Sequence, residues 1–338
     1  MPEFKISVVI AAYHGEKYIG EQLKSLFSQT RLPDEILIGD DSEDDATFQA
    51  VEAVKNQYTG KLRYIRNPER LGFKLNFVNL AREAKGDFIF FCDQDDVWLP
   101  EKIETLAGIL ENDPGCQIAV CNSEMVDSEL HSLHETMLSG IPDFQRKMDS
   151  INAGRGVEPL LKQTIGFAGH NLAIKRSFLP IFLQIPGCYR YHDLWLLQCA
   201  VLFGVLRYVD KILTLYRLHG NNVSAPCVQK VKKSLLHRFG EIRQSSCDVF
   251  YFANQLRWLA DFLERTAPDN PNGELLAGYC RYFNWRAEML QMPYFRRLLS
   301  IVGHPLHQRD HFRFGFGMRS MIRDLIARPD HPLHEGNK

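Results

Sequence analysis

The chain has 338 residues, 45% of them hydrophobic, enough for one large α/β domain with a smaller appendage and a substantial buried core. Its formal net charge of -1 argues against a wholesale nucleic-acid binder, which carries a basic excess over a whole domain. The charge is uneven: residues 1–226 hold about 23 Lys and Arg against about 30 Asp and Glu, and the remainder about 17 against about 11, so the two parts are expected to meet different partners.

Taken in chain order, the first apolar run ends at Tyr13-His14-Gly15-Glu16 after about seven residues, too short for a secretory signal or a membrane span, and reads as a buried strand over 6–11. Further strands are expected over 35–39, 62–66 and 88–92, separated by helical spacing over 17–29, 47–58 and 75–84. Three β-α units of this kind make a Rossmann-like nucleotide-binding half, whose ligands sit at the carboxyl ends of its strands. A fifth strand is expected over 117–121. The polar stretch 127–156 has little periodicity and reads as a loop or lid. Order returns over 164–174, followed by a helix over 193–203 and strands over 206–210 and 212–218. The apolar run 196–206 is about eleven residues, short of the ~20 that cross a bilayer. After Pro226 the chain turns helical and basic, with helices over 230–239, 247–263 and 274–290. The expected organisation is a catalytic-type domain over 1–226, a helical basic region over 227–327 and a disordered tail over 328–338. Eight cysteines without a C-x-x-C pair fit a reduced, cytoplasmic protein.

The chemistry concentrates at strand ends. Phe90-Phe91-Cys92-Asp93-Gln94-Asp95-Asp96 delivers three carboxylates onto one turn, where a hard divalent cation, Mg²⁺ or Mn²⁺, resolves their repulsion and shares positions with nucleotide phosphates. Helix capping by Asp95 or Asp96 accounts for only one of the three. Asp40, in Gly39-Asp40-Asp41, suits a base or ribose donor group. Tyr13 stacks on a base or is a turn aromatic at the core edge. In Leu71-Gly72-Phe73-Lys74, a turn before a helix offers amides to phosphate, and Lys74 either neutralises diphosphate or is a solvated lysine.

These segments, with the opening Ile6-Ser7-Val8-Val9-Ile10-Ala11-Ala12-Tyr13, resemble family 2 glycosyltransferases of the GT-A fold over about residues 5–224. Asp40-Asp41 resembles the family's nucleoside-binding carboxylate pair. Asp93-Gln94-Asp95-Asp96-Val97-Trp98 resembles the D-x-D-D form of a bacterial, rhamnosyltransferase-like branch. Ser42-Glu43 departs from the family's usual Gly-Ser. The resemblance implies a donor-nucleotide site around Ala11, Tyr13, Asp40, Lys74, Asp93 and Arg217, with Asp95 as main metal ligand. Tyr191-His192-Asp193-Leu194-Trp195 resembles the acceptor-side motif, implying Asp193 as catalytic base; a helix N-cap is the competing reading and would not exclude catalysis. Tyr216-Arg217-Leu218-His219-Gly220-Asn221-Asn222 resembles the segment that returns a histidine, here His219, to the metal. Gly166-Phe167-Ala168-Gly169-His170-Asn171 is expected to line a sugar and acceptor pocket, with Gly169 and His170 joined by His192 and Trp195.

The implied activity is metal-dependent, inverting sugar transfer from a nucleotide diphosphate sugar, dTDP-rhamnose or a UDP-sugar, to a saccharide or lipid-linked saccharide hydroxyl in cell-surface polysaccharide synthesis. A sugar nucleotidyltransferase is a rival, but Tyr13-His14-Gly15-Glu16 is not the Gly-rich basic loop such enzymes carry. A non-catalytic scaffold of the same fold is another. In the basic region, arginines 296, 297, 309, 313, 319 and 323 alternate with aromatics, which fits either a peripheral, anionic-lipid-facing surface or a helical cap with its arginines in water.

Overall fold

The computed structural model describes residues 4–162, 165–220, 222, 235–303 and 305–326. The expected tail over 328–338 lies outside them, as do Thr164 and the start of the expected helix at Lys230. Contacts within the chain divide it into Met1–Pro226 and Cys227–Lys338.

In the first unit, strands β1 (Ile6–Ala12), β2 (Glu35–Asp40), β3 (Lys61–Arg66) and β4 (Phe88–Asp93) alternate with helices α1 (Ile19–Phe27), α2 (Ala46–Lys55) and α3 (Gly72–Glu83). The strands lie parallel in the order β3-β2-β1-β4. In β1, Ile6, Val8, Val9 and Ile10 are all fully buried, because helices on both faces of a parallel sheet leave neither side to water. Register then does the positioning: Ala11 of β1 lies opposite Gly39 on one side and Asp93 on the other, and Ala12 opposite Asp40. The carboxyl ends of β1, β2 and β4 therefore bring Ala11, Asp40 and Asp93 to one rim of the sheet.

Beyond β4 the sheet becomes mixed. Strand β5 (Val97–Trp98), helix α4 (Lys102–Asn112), strands β6 (Ile118–Val126) and β7 (Ser132–Thr136), helices α5 (Phe144–Asn152) and α6 (Val157–Leu161), strand β8 (Leu172–Lys175), helices α7 (Leu179–Phe182) and α8 (His192–Leu202), and strand β9 (Leu206–Arg217) complete the unit. β8 runs antiparallel between β4 and β6, β9 pairs parallel with β6, and β5 closes antiparallel on β9. The result is one mixed α/β sheet in the order β3-β2-β1-β4-β8-β6-β9-β5, with β7 paired on β6.

Two expectations change. The stretch 127–156 is not a bare loop, since it contains β7 and α5. β7 pairs with β6 alone and carries no buried residue, so it shows no alternation. α5 buries Met148 and Ile151 and sets Phe144 edge-on to Tyr208, a sparse stripe at i, i+4 and i+7. The two strands expected over 206–218 are one, β9. Its exposed Asp210-Lys211 is absorbed where the pairing with β6 shifts register between Val120 and Asn122.

The second unit is helical: α9 (Leu235–Thr266), α10 (Gly273–Leu290), α11 (Tyr294–Val302), α12 (Pro305–Arg313) and α13 (Met318–Ile326). One continuous α9 replaces the two shorter helices expected there: Gly240 costs a helix interior only about 1 kcal/mol relative to Ala, and 241–246 contains neither Gly nor Pro. Leu256, Leu259 and Phe262 of α9 are buried with Tyr279, Tyr282 and Met289 of α10. Inside, the Arg286 guanidinium grips both oxygens of Asp324 at 2.8 and 2.6 Å, satisfying two charges that burial alone would penalise. No helix among the described residues is long and apolar enough to cross a membrane.

Candidate active site

The rim built by β1, β2 and β4 carries the acidic turn. Gln94, the variable position of Asp93-Gln94-Asp95-Asp96, accepts a hydrogen bond from Tyr13 N–H (2.9 Å) and donates one to Tyr13 C=O (3.0 Å). Gly15 leaves room for it, since a Cβ there would collide with the Gln94 amide. The turn after β4 is thus tied to the turn after β1.

Around that tie the carboxylates separate by environment. Asp95 lies 2.8 Å from His219 Nε2, and these side chains are 16% and 13% exposed. The His219 ring stacks on Tyr18. Asp93, 40% exposed, and Asp96, fully buried, each approach His170 Nδ1 at 3.4 Å. Ligand atoms of Asp93, Asp96 and His170 all lie within 4.8 Å of one another, a grouping able to hold a metal ion. Asp96 Oδ2 and His170 Nδ1 are buried without a hydrogen-bond partner among the described residues. Orphaned acceptors among clustered carboxylates suit a hard divalent cation.

Burial, reinforced by the neighbouring Asp95 and Asp93 charges, pushes Asp96 well above the usual carboxylate range. Asp93 is affected by burial in the same sense, but the side chains of His170, then His192 and Lys102, together hold it below that range. The two carboxyls are thus pushed in opposite directions, as expected when like charges share a site. Lys102 of α4 is itself fully buried. It donates to His170 C=O and to Thr214 Oγ1, both at 2.6 Å, and lies 3.8 Å over the Trp98 ring.

Asp193 sits in the first turn of α8. Burial raises its carboxyl from the ordinary 3.8 to about 6; the Leu194 N–H bond (2.7 Å) opposes the rise, the Asp93 charge adds to it, and Gly169 N–H opposes it. Gly169 permits the close approach: a Cβ there would meet His192 Nε2 at 2.8 Å and Asp193 Oδ2 at 3.7 Å.

Several expected contacts are relocated. Trp195 lies in the core of the unit. It is fully buried, donates its indole N–H to Ile181 C=O (2.9 Å) and meets Tyr189 edge-on, because α8 is covered on all sides. We expect Trp195→Ala to cost about 3–5 kcal/mol in chemical denaturation, while Trp195→Phe leaves acceptor KM unchanged. His192 is buried among Phe77, Phe91 and Phe182, and desolvation lowers its imidazole to about 4, so it stays neutral beneath Asp193. His170, 1% exposed, belongs to the acidic cluster rather than to an open pocket wall.

Arg217 is committed to the protein. Its guanidinium donates to Asp95 C=O (2.9 Å), Ser128 C=O (2.7 Å) and the Glu21 carboxylate, which steadies the acidic turn instead of offering a face to diphosphate. Lys74 Nζ donates to the Tyr189 (2.9 Å) and Gly187 (3.3 Å) carbonyls and so fastens α3 to the segment before α8. Asp40 is fully buried and accepts from Ser42 N–H (3.0 Å), Ser42 Oγ–H (2.6 Å) and the Tyr64 hydroxyl. Asp41 accepts from Asn67, Leu71 N–H and Gly72 N–H, holding the turn that starts α3, where Gly72 takes a φ of 74°. Tyr13 carries the Arg70 guanidinium 3.8 Å over its ring. Arg70 was missed by sequence reasoning, although a cation two residues before the Gly72 turn was the available signal.

Residues 7–179 match the model of glycosyl transferase family 2. An uncharacterized glycosyltransferase of Nostoc is 24% identical over 225 residues, covering 64% of this chain and 66% of that protein. The dTDP-rhamnosyl transferase RfbG of Shigella flexneri is 32% identical over 225 residues, covering 63% and 72%. With an uncharacterized protein of Mycobacterium tuberculosis the match spans 60% of the relative's length, so with this and the Nostoc protein it spans less than two thirds of the curated relative. Among solved structures, a Pyrobaculum calidifontis mannosyltransferase in complex with GDP-Man and Mn²⁺ superposes with a TM-score of 0.53 at 15% identity, covering 96% of this chain and 86% of that one, and shares the fold. The chain belongs to glycosyltransferase family 2.

Proposed function

We propose that this glycosyltransferase moves a sugar from a nucleoside diphosphate donor to a hydroxyl of a saccharide or lipid-linked saccharide, with inversion at the anomeric carbon. The observation that carries the reading is Asp193, a carboxyl raised to about 6 by burial and held against Gly169 within the field of Asp93. A base poised near neutral pH both takes a proton readily and is ionised when needed. In this reading Asp193 accepts the acceptor's hydroxyl proton as the new C–O bond forms. The nucleoside lies along the rim of Ala11, Tyr13 and Asp40, beside the Tyr13 ring whose one face is already covered by Arg70. Asp95, with His219 and Asp93, would hold a Mg²⁺ or Mn²⁺ ion. Such an ion, when bound, compensates the negative charge that develops on the leaving diphosphate. Arg217 and Gln94 keep the acidic turn in place throughout. Direct displacement needs no enzyme nucleophile, and none of the free cysteines is invoked.

Similarity to a dTDP-rhamnosyl transferase favours dTDP-rhamnose first among donors, with UDP-sugars next. The D-x-D-D turn supports the same branch. We expect release of nucleoside diphosphate from one of these donors in the presence of Mn²⁺ and an oligosaccharide acceptor, followed by proton NMR, with a product of opposite anomeric configuration. A product of retained configuration would overturn the single-displacement role of Asp193.

A further inference from the structure

We propose that the outer face of α11, α12 and α13 docks on the surface of an anionic lipid bilayer. A surface helix normally turns its polar side to water, and α11 does the opposite. Arg297 and Ile301 are buried, while Phe295, Leu299 and Val302, together with Tyr294, are exposed. At 100° per residue, Phe295, Leu299 and Val302 fall within about 60° of one another on the helix circumference, a single apolar stripe facing outward. Phe312, Phe316 and Ile322 extend the apolar surface onto α12, the following turn and α13. All seven side chains are between 53% and 68% exposed. The three helices contact one another and so form one cluster that carries these exposed side chains and the turn of Phe316.

Charge selects the occupant. Arg296, Arg309, Arg313 and Arg323 are exposed among the apolar side chains. The segment's acids are Asp310, half-buried, and Asp324, buried and gripped by Arg286. The face is therefore cationic as well as apolar. Arginines with long apolar stems reach headgroup phosphates while aromatic and aliphatic side chains enter the acyl boundary. A second copy meeting the same face would bring its arginines against these. A nucleic acid would answer the arginines but not the aliphatic Leu299, Val302 and Ile322. An anionic bilayer answers both. The inference stands on the helical unit alone and does not rest on the proposed metal-assisted reaction.

The full chain is tested by vesicle flotation, comparing phosphatidylcholine vesicles with vesicles that also contain phosphatidylglycerol, at low and high salt. We expect binding to the phosphatidylglycerol vesicles that weakens with salt. A Phe295→Ser/Leu299→Ser variant and an Arg296→Glu/Arg313→Glu variant should each lose about tenfold or more of that affinity, since each arginine near such a surface is worth about fivefold. Far-UV circular dichroism melts and donor-nucleotide binding on the same preparations keep folding and the nucleotide site separate from the result. Should a variant fail to fold, the lipid-charge and salt dependence of the unaltered chain decide. Absence of flotation, or flotation indifferent to lipid charge and salt, would overturn the proposal. So would a concentration-dependent dimer that Phe295→Ser/Leu299→Ser converts to monomer, which would assign the face to a second copy.

Discussion

Asp193→Asn is expected to lower kcat by about 10²- to 10⁴-fold, the usual contribution of a positioned general base, while leaving donor binding within a few-fold. Asparagine keeps the shape and the oxygen that accepts from Leu194 N–H but removes the basic site. The unaltered enzyme should show kcat/KM rising tenfold per pH unit up to about 6, where the Asp193 carboxyl ionises, and level above it. The variant's residual rate should lack that limb.

The same substitution has a second, opposite consequence. The folded carboxyl binds its proton more tightly than the unfolded one, whose ordinary value is 3.8. Between those values the folded state therefore carries more protons, and stability falls as pH rises through the window from about 4 to about 6. Above it the enzyme bears the cost of an ionised, poorly hydrated carboxylate. The neutral amide carries no such cost, so Asp193→Asn should gain about 1–3 kcal/mol in urea unfolding at neutral pH and close to nothing below pH 4. A loss of activity with a gain of stability is the signature of a strained functional group rather than of a capping residue, whose removal costs stability. A variant that stays active would move the base elsewhere.

The parallel half of the sheet was legible because its strands are covered on both faces and read as unbroken apolar runs, with turn chemistry between them. β7 and α5 were obscured because each buries little, and a weakly buried element leaves little periodicity to read. In the site, the acidic turn and Asp193 stood out as carboxylates at strand and helix ends. Their supports did not. Lys102 and His170 are 68 residues apart in sequence, and only the packing of α4 against β8 and β9 brings them together. Gln94 looked like a spacer between carboxylates, yet it bonds both backbone groups of Tyr13. The burial of Trp195 was hidden for a related reason: a helix apolar on every side offers no pattern to tell its inward face from its outer one. Arg217, a diphosphate candidate by resemblance, and Lys74, left between diphosphate and solvent, bond carbonyls and Glu21, partners set by tertiary geometry that residue type does not show.

The acidic turn divides into a partly open pair, Asp95 and His219, and a sealed pair, Asp96 and His170, with Asp93 between them and half exposed. A cation that shares its coordination with donor phosphates needs positions open to the donor, which favours Asp95, His219 and Asp93 as its ligands. Asp96, buried and with its carboxyl raised above the usual range by that burial, then serves as a prop: its Oδ1 accepts from Arg217 N–H (3.1 Å) and its Oδ2 faces His170. On this division Asp95→Ala should lower kcat by on the order of 10²- to 10³-fold and abolish the Mn²⁺ dependence of nucleoside diphosphate binding in calorimetry. His219→Ala should weaken that dependence. Asp96→Asn keeps the shape of a buried side chain that is sealed from the donor, so Mn²⁺-dependent binding should persist within about tenfold, with the main effect on stability. The reverse pattern, in which Asp96→Asn and His170→Ala erase the Mn²⁺ dependence and Asp95→Ala leaves it intact, would place the cation in the grouping of Asp93, Asp96 and His170 and reduce Asp95 and His219 to a pair that shapes the donor's path.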